Sequence, residues 1–530
     1  VTLARYWHTL RPLRASQVWG RLWFRLRRPT PELGPAPERR PVVERWQASG
    51  WRVPCLVDER TVRLLGVTGD VSTSFIWNSP HHERLWTYHL HYFDDLTARD
   101  ADTRTAWHTR LVDRWITENP PGVGPGWEPY PVSLRMVNWI KWMLGPQAGE
   151  VRPAVVQSLA VQARWLRRRM EYHILANHLW ANAKALLMAG VVFDGDEADV
   201  WRREGAALVT RELSEQVLPD GGHFERSPMY HAIVLEDVLD LLQLARLYPG
   251  TLAAPLVESL RTAATRMLRW LRIMSHPDGD IAFFNDAACD AAAPYASLEA
   301  YARRLHVAVD EAPLGPVEVL AESGYVRLAN DRAVVLCDVA PVGPDYQPGH
   351  AHADTLSFEL SLDGRRVLVN GGTSTYVPGP LRHQERSTTS HNTVVVDGRN
   401  SSDVWGAFRV GRRARPLHVH ASVTSSGGRL EAAHDGYAPV MHRRQWELDG
   451  TGLTIIDRLD GARTEAVARL LWHPAAGATS ARPVRIVCEP PTTMATVPAE
   501  WAPRFGERVP TSALLLPITG ASLTTRVTWA

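Results

Sequence analysis

The sequence predicts a multidomain chain, helical over roughly its first 310 residues and antiparallel β beyond them. Three observations carry this reading. A length of 530 residues exceeds what one ordinary core supports. Apolar residues recur at helical spacing through the first part. Past "APLGPVEVLAESG" (312–324) they alternate instead, and Asp-Gly pairs punctuate the alternating runs.

The elements follow in order. "RPTPELGPAPERRP" (28–41) is rich in proline and reads as a connecting loop. In "VVQSLAVQARWLRRRM", Val155, Leu159, Leu166 and Met170 share one helical face. "ILANHLWANAKALLMAG" continues as helix as far as Gly190, a natural residue just past a helix end. "RSPMYHAIVLEDVLDLLQLARLYPG" opens with Ser227 as N-cap and Pro228 at the first helical position. It turns Val234, Val238, Leu241 and Leu242 inward and stops at "YPG". Such helices stack into bundles, solenoids or closed α/α toroids, and no repeat period chooses among these. In the β part, "TLSFELSLDGRRVLVNGG" alternates Leu356, Phe358, Leu360 and Leu362. It turns at Asp363-Gly364 and returns through Val367 and Val369. "HNTVVVDGRN" and "QWELDGTGLTIIDRLDG" repeat the turn signal, so a sandwich is expected.

Composition narrows the function classes. A net charge of +2 argues against a nucleic-acid partner, although "RRRM" (167–170) suits the rim of an anionic-substrate cleft. Cys55, Cys289, Cys337 and Cys488 show no CxxC spacing, so neither a disulfide framework nor a structural zinc knot is expected. No run of 18 apolar residues occurs, and no membrane partner is expected. The N-terminal stretch has scattered arginines and no apolar core of a secretory signal, which points to a cytoplasmic location. The 21 tryptophans either fill helical cores or offer indole platforms to sugars.

Four clusters carry chemistry. In "YHILANHLWAN" (172–182), Asn177 and His178 are adjacent and Asn182 lies one turn on. In "DGGHFERSPMYH" (220–231), a glycine turn leads to a capped helix with Tyr230 in its first turn. The positive helix end favours a phenolate, which tyrosine needs before it accepts a proton near neutrality. "GHAHADTLSFEL" (349–360) sets His350, His352 and Asp354 on one face of an extended chain, and in "ERSTTSHNTVVVDG" (385–398) His391 directly precedes a β run. Singly, each cluster reads equally as satisfied packing. Jointly, the three imidazoles suit two metal ligands and one proton-transfer group.

With these motifs in this order, the chain resembles the heparinase II/III-like family of polysaccharide lyases. The likeness rests on "NHLWANAKALLMAG", "DGGHFERSPMYHAIVLEDVLDLL", "GHAHADTLSFELSLDGRRVLVN" and "RSTTSHNTVVVDG", and it extends over roughly residues 1–412. The resemblance implies an N-terminal α/α toroid, an incomplete helical barrel, over 1–315. A C-terminal antiparallel β-sandwich would cover 316–530, with the active site between the two. It implies β-elimination on a uronate-containing poly- or oligosaccharide. Asn177 would neutralise the uronate carboxylate with His178 in support, Tyr230 would act as base and acid, and His350 would complete the catalytic set. Glu225, Arg386 and Arg409 are placed at the anionic sugar, the arginines by bidentate pairing.

His352 and His391 would hold a divalent ion, zinc by the family's pattern. The family's third ligand is an aspartate where this chain has Asn370, which removes a charge and should weaken the ion. An ideal Asp-Gly hairpin pairs Asn370 with Ser357, so the strand must bulge to reach His352. Asp354 is assigned a hydrogen bond to an imidazole. Two alternatives stand beside the lyase: an eliminase acting on a small sugar-containing metabolite, and a non-catalytic glycan-binding protein. The oligomeric state is left open, a homodimer included.

Overall fold

The computed structural model describes residues 3–146, 152–463, 465–477 and 484–529. Helices α1 (Leu3–Leu10) and α2 (Ala15–Leu26) lead, followed by a small hairpin, β1 (Thr61–Leu64) and β2 (Val67–Asp70), which apolar periodicity did not announce. Then come α3 (Arg84–Tyr92), α4 (Thr105–Glu118), α5 (Pro129–Leu144), α6 (Pro153–Arg168), α7 (Ala176–Val192) and α8 (Asp196–Gln216). The helical part ends with α9 (Pro228–Leu247), α10 (Ala254–Ile273) and α11 (Tyr295–Arg304).

The helices form two layers. Almost every residue of α5, α7 and α9 is buried, whereas α4, α6, α8 and α10 bury one side only. A helix that is apolar all round must be enclosed, and an amphipathic one must face water. This alternation of inner and outer helices is the layering of an α/α toroid. Contrary to the expected stop at Gly190, α7 runs on to Val192. Gly190 is needed for packing: a Cβ there would meet the Arg202 backbone nitrogen at 2.2 Å, and one at Gly205 would meet that of Leu187 at 2.6 Å. Two glycines thus let α7 and α8 touch backbone to backbone.

Beyond Arg304 the chain is β. One sheet holds β3 (Val317–Leu320), β4 (Tyr325–Ala329), β5 (Ala333–Asp338), β6 (Phe358–Leu362) and β7 (Arg365–Leu368) in that order. After the short helix α12 (Pro380–Glu385) come β8 (Val394–Val396), a two-residue-strand hairpin of β9 (Val404–Trp405) and β10 (Arg409–Val410), and β11 (Pro416–Thr424). Next are β12 (Gly427–Tyr437), β13 (Val440–Leu448), β14 (Gly452–Asp460), β15 (Ala466–Leu471) and the one-turn α13 (Pro474–Gly477). The chain closes with β16 (Arg485–Glu489), β17 (Ala495–Arg504), β18 (Glu507–Pro517) and β19 (Ser522–Thr528). A six-stranded sheet runs β11-β12-β13-β14-β19-β16 and a four-stranded one β17-β18-β15-β8. Every ladder is antiparallel. Val335, Trp446, Ile455, Ala468 and Leu514 from the three sheets share one core.

Asp363 and Gly364 both take positive φ (49° and 80°), the backbone of a type I′ hairpin, as the Asp-Gly pair predicts. The ladder then slips between Leu360 and Ser361, so Leu360 pairs with Leu368. The strand thus bulges as expected, but the slip does not bring Asn370 to His352. Leu320, Tyr325, Val334 and Leu336 of the five-stranded sheet belong to the helical core, so the two parts share one apolar body. Among the described residues all four cysteines are free thiols, and no helix is long and apolar enough to cross a membrane.

Candidate active site

Four loop-to-element junctions converge where the helical part meets the sheets. Three are set by residues in left-handed backbone: Leu175 and Ala176 (φ 67° and 52°) before Asn177, Arg226 (58°) before Ser227, and Asn285 (56°) before Asp286. Non-glycine residues adopt this conformation at a cost and persist only where surrounding contacts dictate it. Here Asn285 supplies such contacts. Its amide donates to the Arg226 carbonyl (2.8 Å), its side-chain oxygen accepts from the His352 backbone (3.0 Å), and its own N–H donates to Asp354 (2.9 Å). The helical loop and the histidine loop are thereby held in register.

Asn177 opens α7. Its backbone N–H and its amide both donate to the buried Glu225 carboxylate (3.0–3.1 Å), and the amide lies 3.4 Å from His350 Nε2. Glu225 therefore positions Asn177 and lies 3.6 Å from His350. It does not face an incoming sugar as expected, because its oxygens are buried and bonded. His178 is half-buried, hydrogen-bonded to Glu171 (3.2 Å) and stacked on Tyr130 at 4.3 Å. Burial works to lower its pKa, but Glu171 prevails and raises it. Asn182 is buried deeper, between Glu171 and Ser133.

Tyr230 sits in the first turn of α9, with its N–H donating to the N-cap Ser227 (3.2 Å) as the sequence indicates. Its ring stacks on His350 at 3.9 Å and its hydroxyl meets that of Tyr376 at 3.1 Å. The expected easing of ionisation by the helix end is overturned: burial, with Tyr376 adding to it, pushes the phenol well above the ordinary tyrosine value. Desolvation of a phenolate outweighs a partial helix charge. Near neutrality Tyr230 is an un-ionised phenol.

The hub is Asp286, a residue no motif singled out. Its carboxylate accepts from His350 Nδ1 (2.9 Å), His352 Nε2 (2.8 Å) and both terminal nitrogens of Arg382, one at 2.8 Å. Burial alone would push this carboxyl up, but Arg382 and the two histidines hold it well below the usual range. An ionised Asp286 makes Nδ1 of His350 the protonated nitrogen. In the neutral ring Nε2 then carries the lone pair, and it lies 3.4 Å from the Asn177 amide. Tyr376 and Phe408 complete the wall, with the Arg382 guanidinium 4.9 Å and 5.6 Å from their ring centres.

The expected sugar-binding arginines separate. Arg386 is buried, donates to the carbonyls of Ala351, Gly406 and Arg409, and is pushed down to about 9 by burial. It braces the histidine loop and cannot reach a ligand. Arg409 is exposed over the Trp405 ring at 4.7 Å. The 167–169 arginines lie elsewhere, against Glu204, Glu32 and the carbonyls of Phe24 and Arg27.

The expected metal ligands come together in part. His352 Nδ1 and His391 Nε2 face each other at 3.2 Å. His352 uses Nε2–H toward Asp286, and His391 uses Nδ1–H toward the Ser387 carbonyl (2.8 Å). Burial lowers both pKa values, to about 4 for His352. Two neutral rings thus point lone pairs at one spot, an arrangement that a shared cation would satisfy. Asn370 does not complete it. Its oxygen accepts from the Asn392 N–H (3.1 Å) and its amide reaches Ser357 (3.4 Å). Asp354 bonds the Asn285 backbone, and the carboxylate on the imidazoles is Asp286 instead. Among the described residues, no three His, Cys, Asp or Glu cluster as a metal site.

Comparison with known proteins agrees with this architecture. Residues 90–306 match the family model described as Heparinase II/III N-terminus, and residues 312–530 match Heparinase II/III-like, C-terminal. A heparin-sulfate lyase of Bacteroides stercoris is 22% identical over 443 residues, covering 74% of this chain and 64% of that protein. One from Pedobacter heparinus is 26% identical over 317 residues, 54% and 47% of the two chains. FtsZ-localized protein C of Caulobacter vibrioides is 27% identical over 402 residues, 73% and 66%. The chain thus matches 47–66% of the length of these relatives. The crystal structure of heparinase III superposes with a TM-score of 0.70 at 18% identity, covering 88% of this chain and 80% of that one. Heparan sulfate lyase HepC of Pedobacter heparinus gives 0.58 at 18%, covering 97% and 87%.

Proposed function

The chain belongs to the heparinase II/III-like family, and from that premise we propose that it is a polysaccharide lyase. Its substrate would be a uronate-containing glycan, cleaved by β-elimination. The observation that carries the reading is His350: Asp286 bonds its Nδ1, its Nε2 lies beside the Asn177 amide, and its ring stacks on that of Tyr230.

The chemistry follows from these groups. A uronate C5 proton is a very weak acid while the adjacent carboxylate holds its charge. As the proton leaves, charge builds on that carboxylate, and hydrogen bonds from the Asn177 amide strengthen there, contributing a few kcal/mol. His350 Nε2 takes the C5 proton, the C–H electron pair becomes the C4–C5 double bond, and the C4–O4 bond breaks. Tyr230, held as a phenol, protonates the departing O4, and Tyr376 at 3.1 Å offers a route for its reprotonation. Each proton transfer supplies on the order of 10²–10⁴-fold. A glycoside hydrolase would instead need two carboxylates flanking the bond. Glu225 and Asp286 are buried and bonded to Asn177, the histidines and Arg382, which disfavours that class.

A divalent ion belongs to the proposal as well: His352 Nδ1 and His391 Nε2 would hold it, without a carboxylate. When bound it would supply positive charge that anchors the loop carrying His350. The test of the whole reading is ultraviolet absorbance of a conjugated unsaturated uronate after incubation with a panel of uronate glycans. New reducing ends without that absorbance would replace elimination by hydrolysis. A second reading is a glycan-binding protein without turnover: one relative matched over 402 residues, FtsZ-localized protein C, carries a name that states no lyase activity. Retained binding with no product across the panel would select it.

A further inference from the structure

The two N-terminal helices are built inside out. In α2 the exposed residues are Val18, Trp19, Leu22, Trp23 and Leu26, with Trp19 70% and Leu26 72% exposed. At 100° per residue these positions fall within an arc of about 140°. The opposite face, toward the body, carries Gln17, Gly20 and Phe24. Gln17 is buried and donates to the Tyr346 carbonyl (3.0 Å). A Cβ on Gly20 would sit 3.1 Å from His173, and Phe24 lies under Arg169 at 3.5 Å. Helix α1 repeats the inversion: Leu3, Tyr6, Trp7 and Leu10 point outward, while Arg5 pairs with Asp403 (2.7 Å) and Thr9 accepts from Trp405 (3.1 Å). An amphipathic surface helix ordinarily buries its apolar stripe. Here polar contacts seat the helices and leave both apolar stripes in water.

Charge points to the occupant. Residues 1–31 contain seven arginines (5, 11, 14, 21, 25, 27 and 28) and no Asp or Glu. Among the described residues Arg21, Arg25, Arg27 and Arg28 pair with no carboxylate. We infer that α1 and α2 form a monotopic docking surface that lies in the interface of an anionic lipid bilayer. Tryptophans would rest at the headgroup level, leucines would enter the acyl boundary, and unpaired arginines would meet lipid phosphate. Such helices lie in the membrane plane, and the absence of a spanning helix does not bear on them. A second copy of the chain fits poorly, because a two-fold interface would set arginines against arginines. A polyanionic glycan would neutralise the arginines and leave the leucines exposed. Such docking departs from the expectation of no membrane partner, which rested on the lack of a spanning run.

The test is co-sedimentation of the whole chain with vesicles of phosphatidylcholine alone or mixed with phosphatidylglycerol. Partitioning onto the anionic vesicles should exceed that onto neutral ones by at least about tenfold, at roughly 1 kcal/mol per interfacial arginine. The pair Leu22→Glu/Leu26→Glu should lower it by a similar factor, as should Arg25→Glu/Arg28→Glu. Neither pair should shift thermal unfolding, since these side chains are exposed. Quenching of tryptophan fluorescence by bromolipid in the parent, lost in the leucine pair, would place the indoles in the interface. Equal partitioning onto both vesicle types, or variants that bind as the parent does, would overturn the proposal. So would a concentration-dependent dimer broken by the leucine pair without vesicle binding.

Discussion

Asp286→Asn changes one atom and one charge in a carboxylate that serves two histidines and an arginine. An amide has a single acceptor oxygen, whereas Asp286 accepts His350 on Oδ2, His352 on Oδ1 and Arg382 on both. The new NH₂ must therefore face one of these donors. Two losses follow, and they separate. Arg382 is fully buried, and breaking such a pair from one side costs about 3–5 kcal/mol. His350, no longer held with its proton on Nδ1, loses its free Nε2 lone pair, which should cost about 10²–10⁴-fold in turnover. Adding Arg382→Met removes the stranded cation and should recover most of the stability. Turnover should stay low, because the tautomer is still wrong. The assay pairs denaturant unfolding with initial rates of unsaturated product for parent, single and double variants. A double variant that regained both stability and turnover to within tenfold of the parent would refute the tautomer argument and leave Asp286 a purely structural residue.

The remaining predictions are these. Tyr230→Phe should abolish product formation while thermal unfolding and ligand affinity stay near the parent's, since only a hydroxyl is lost; turnover within tenfold of the parent would remove Tyr230 from the chemistry. His352→Ala should lower the content of bound divalent ion and the thermal stability that depends on it, whereas His350→Ala should leave metal content unchanged and remove activity; Asn370→Asp should tighten the ion, and a parent free of metal after divalent supplementation would refute this set. Stability should fall on acidification below about pH 6.5, before most carboxylates titrate. Burial holds His91 and His231 at about 3 and His223 at about 4, so between those values and about 6.5 the unfolded chain binds more protons than the folded one. Each such histidine contributes stability that is complete near neutrality and worth about 3–5 kcal/mol; a midpoint of unfolding that stays flat from pH 7 to pH 5 would contradict it.

Much of the fold was legible because its causes are local. Ser227 and Pro228 start α9 through capping and a preset φ, and Asp363-Gly364 makes its hairpin because both residues tolerate positive φ. What failed to show depended on partners distant in sequence. Gly190 looked like a helix stop because its packing partner, Arg202, lies on the next helix, α8. Hairpin β1–β2 escaped notice because its four-residue strands bury few side chains.

The site divides along the same line. Asn177, Tyr230 and His350 stand in motifs whose spacing survives folding, and the structure sets His350 3.4 Å from the Asn177 amide with its ring centre 3.9 Å from that of Tyr230. Asp286 and Arg382 carry no such spacing. Asp286 lies 64 residues from His350 and 96 from Arg382, and "FFNDAACD" has no period that marks a charge hub. A buried carboxylate is tolerable only with an opposite charge and satisfied lone pairs, so its partners must arrive together or not at all. Glu225 and Arg386, which by sequence face a sugar, instead face inward, Glu225 accepting from Asn177 and Arg386 donating to the carbonyls of Ala351, Gly406 and Arg409. A helical part and a sheet part must be locked together before one lone pair can be aimed. The charged residues nearest the site are spent on that lock, and under the proposed function the amide, phenol and imidazole would be left to meet an anionic sugar.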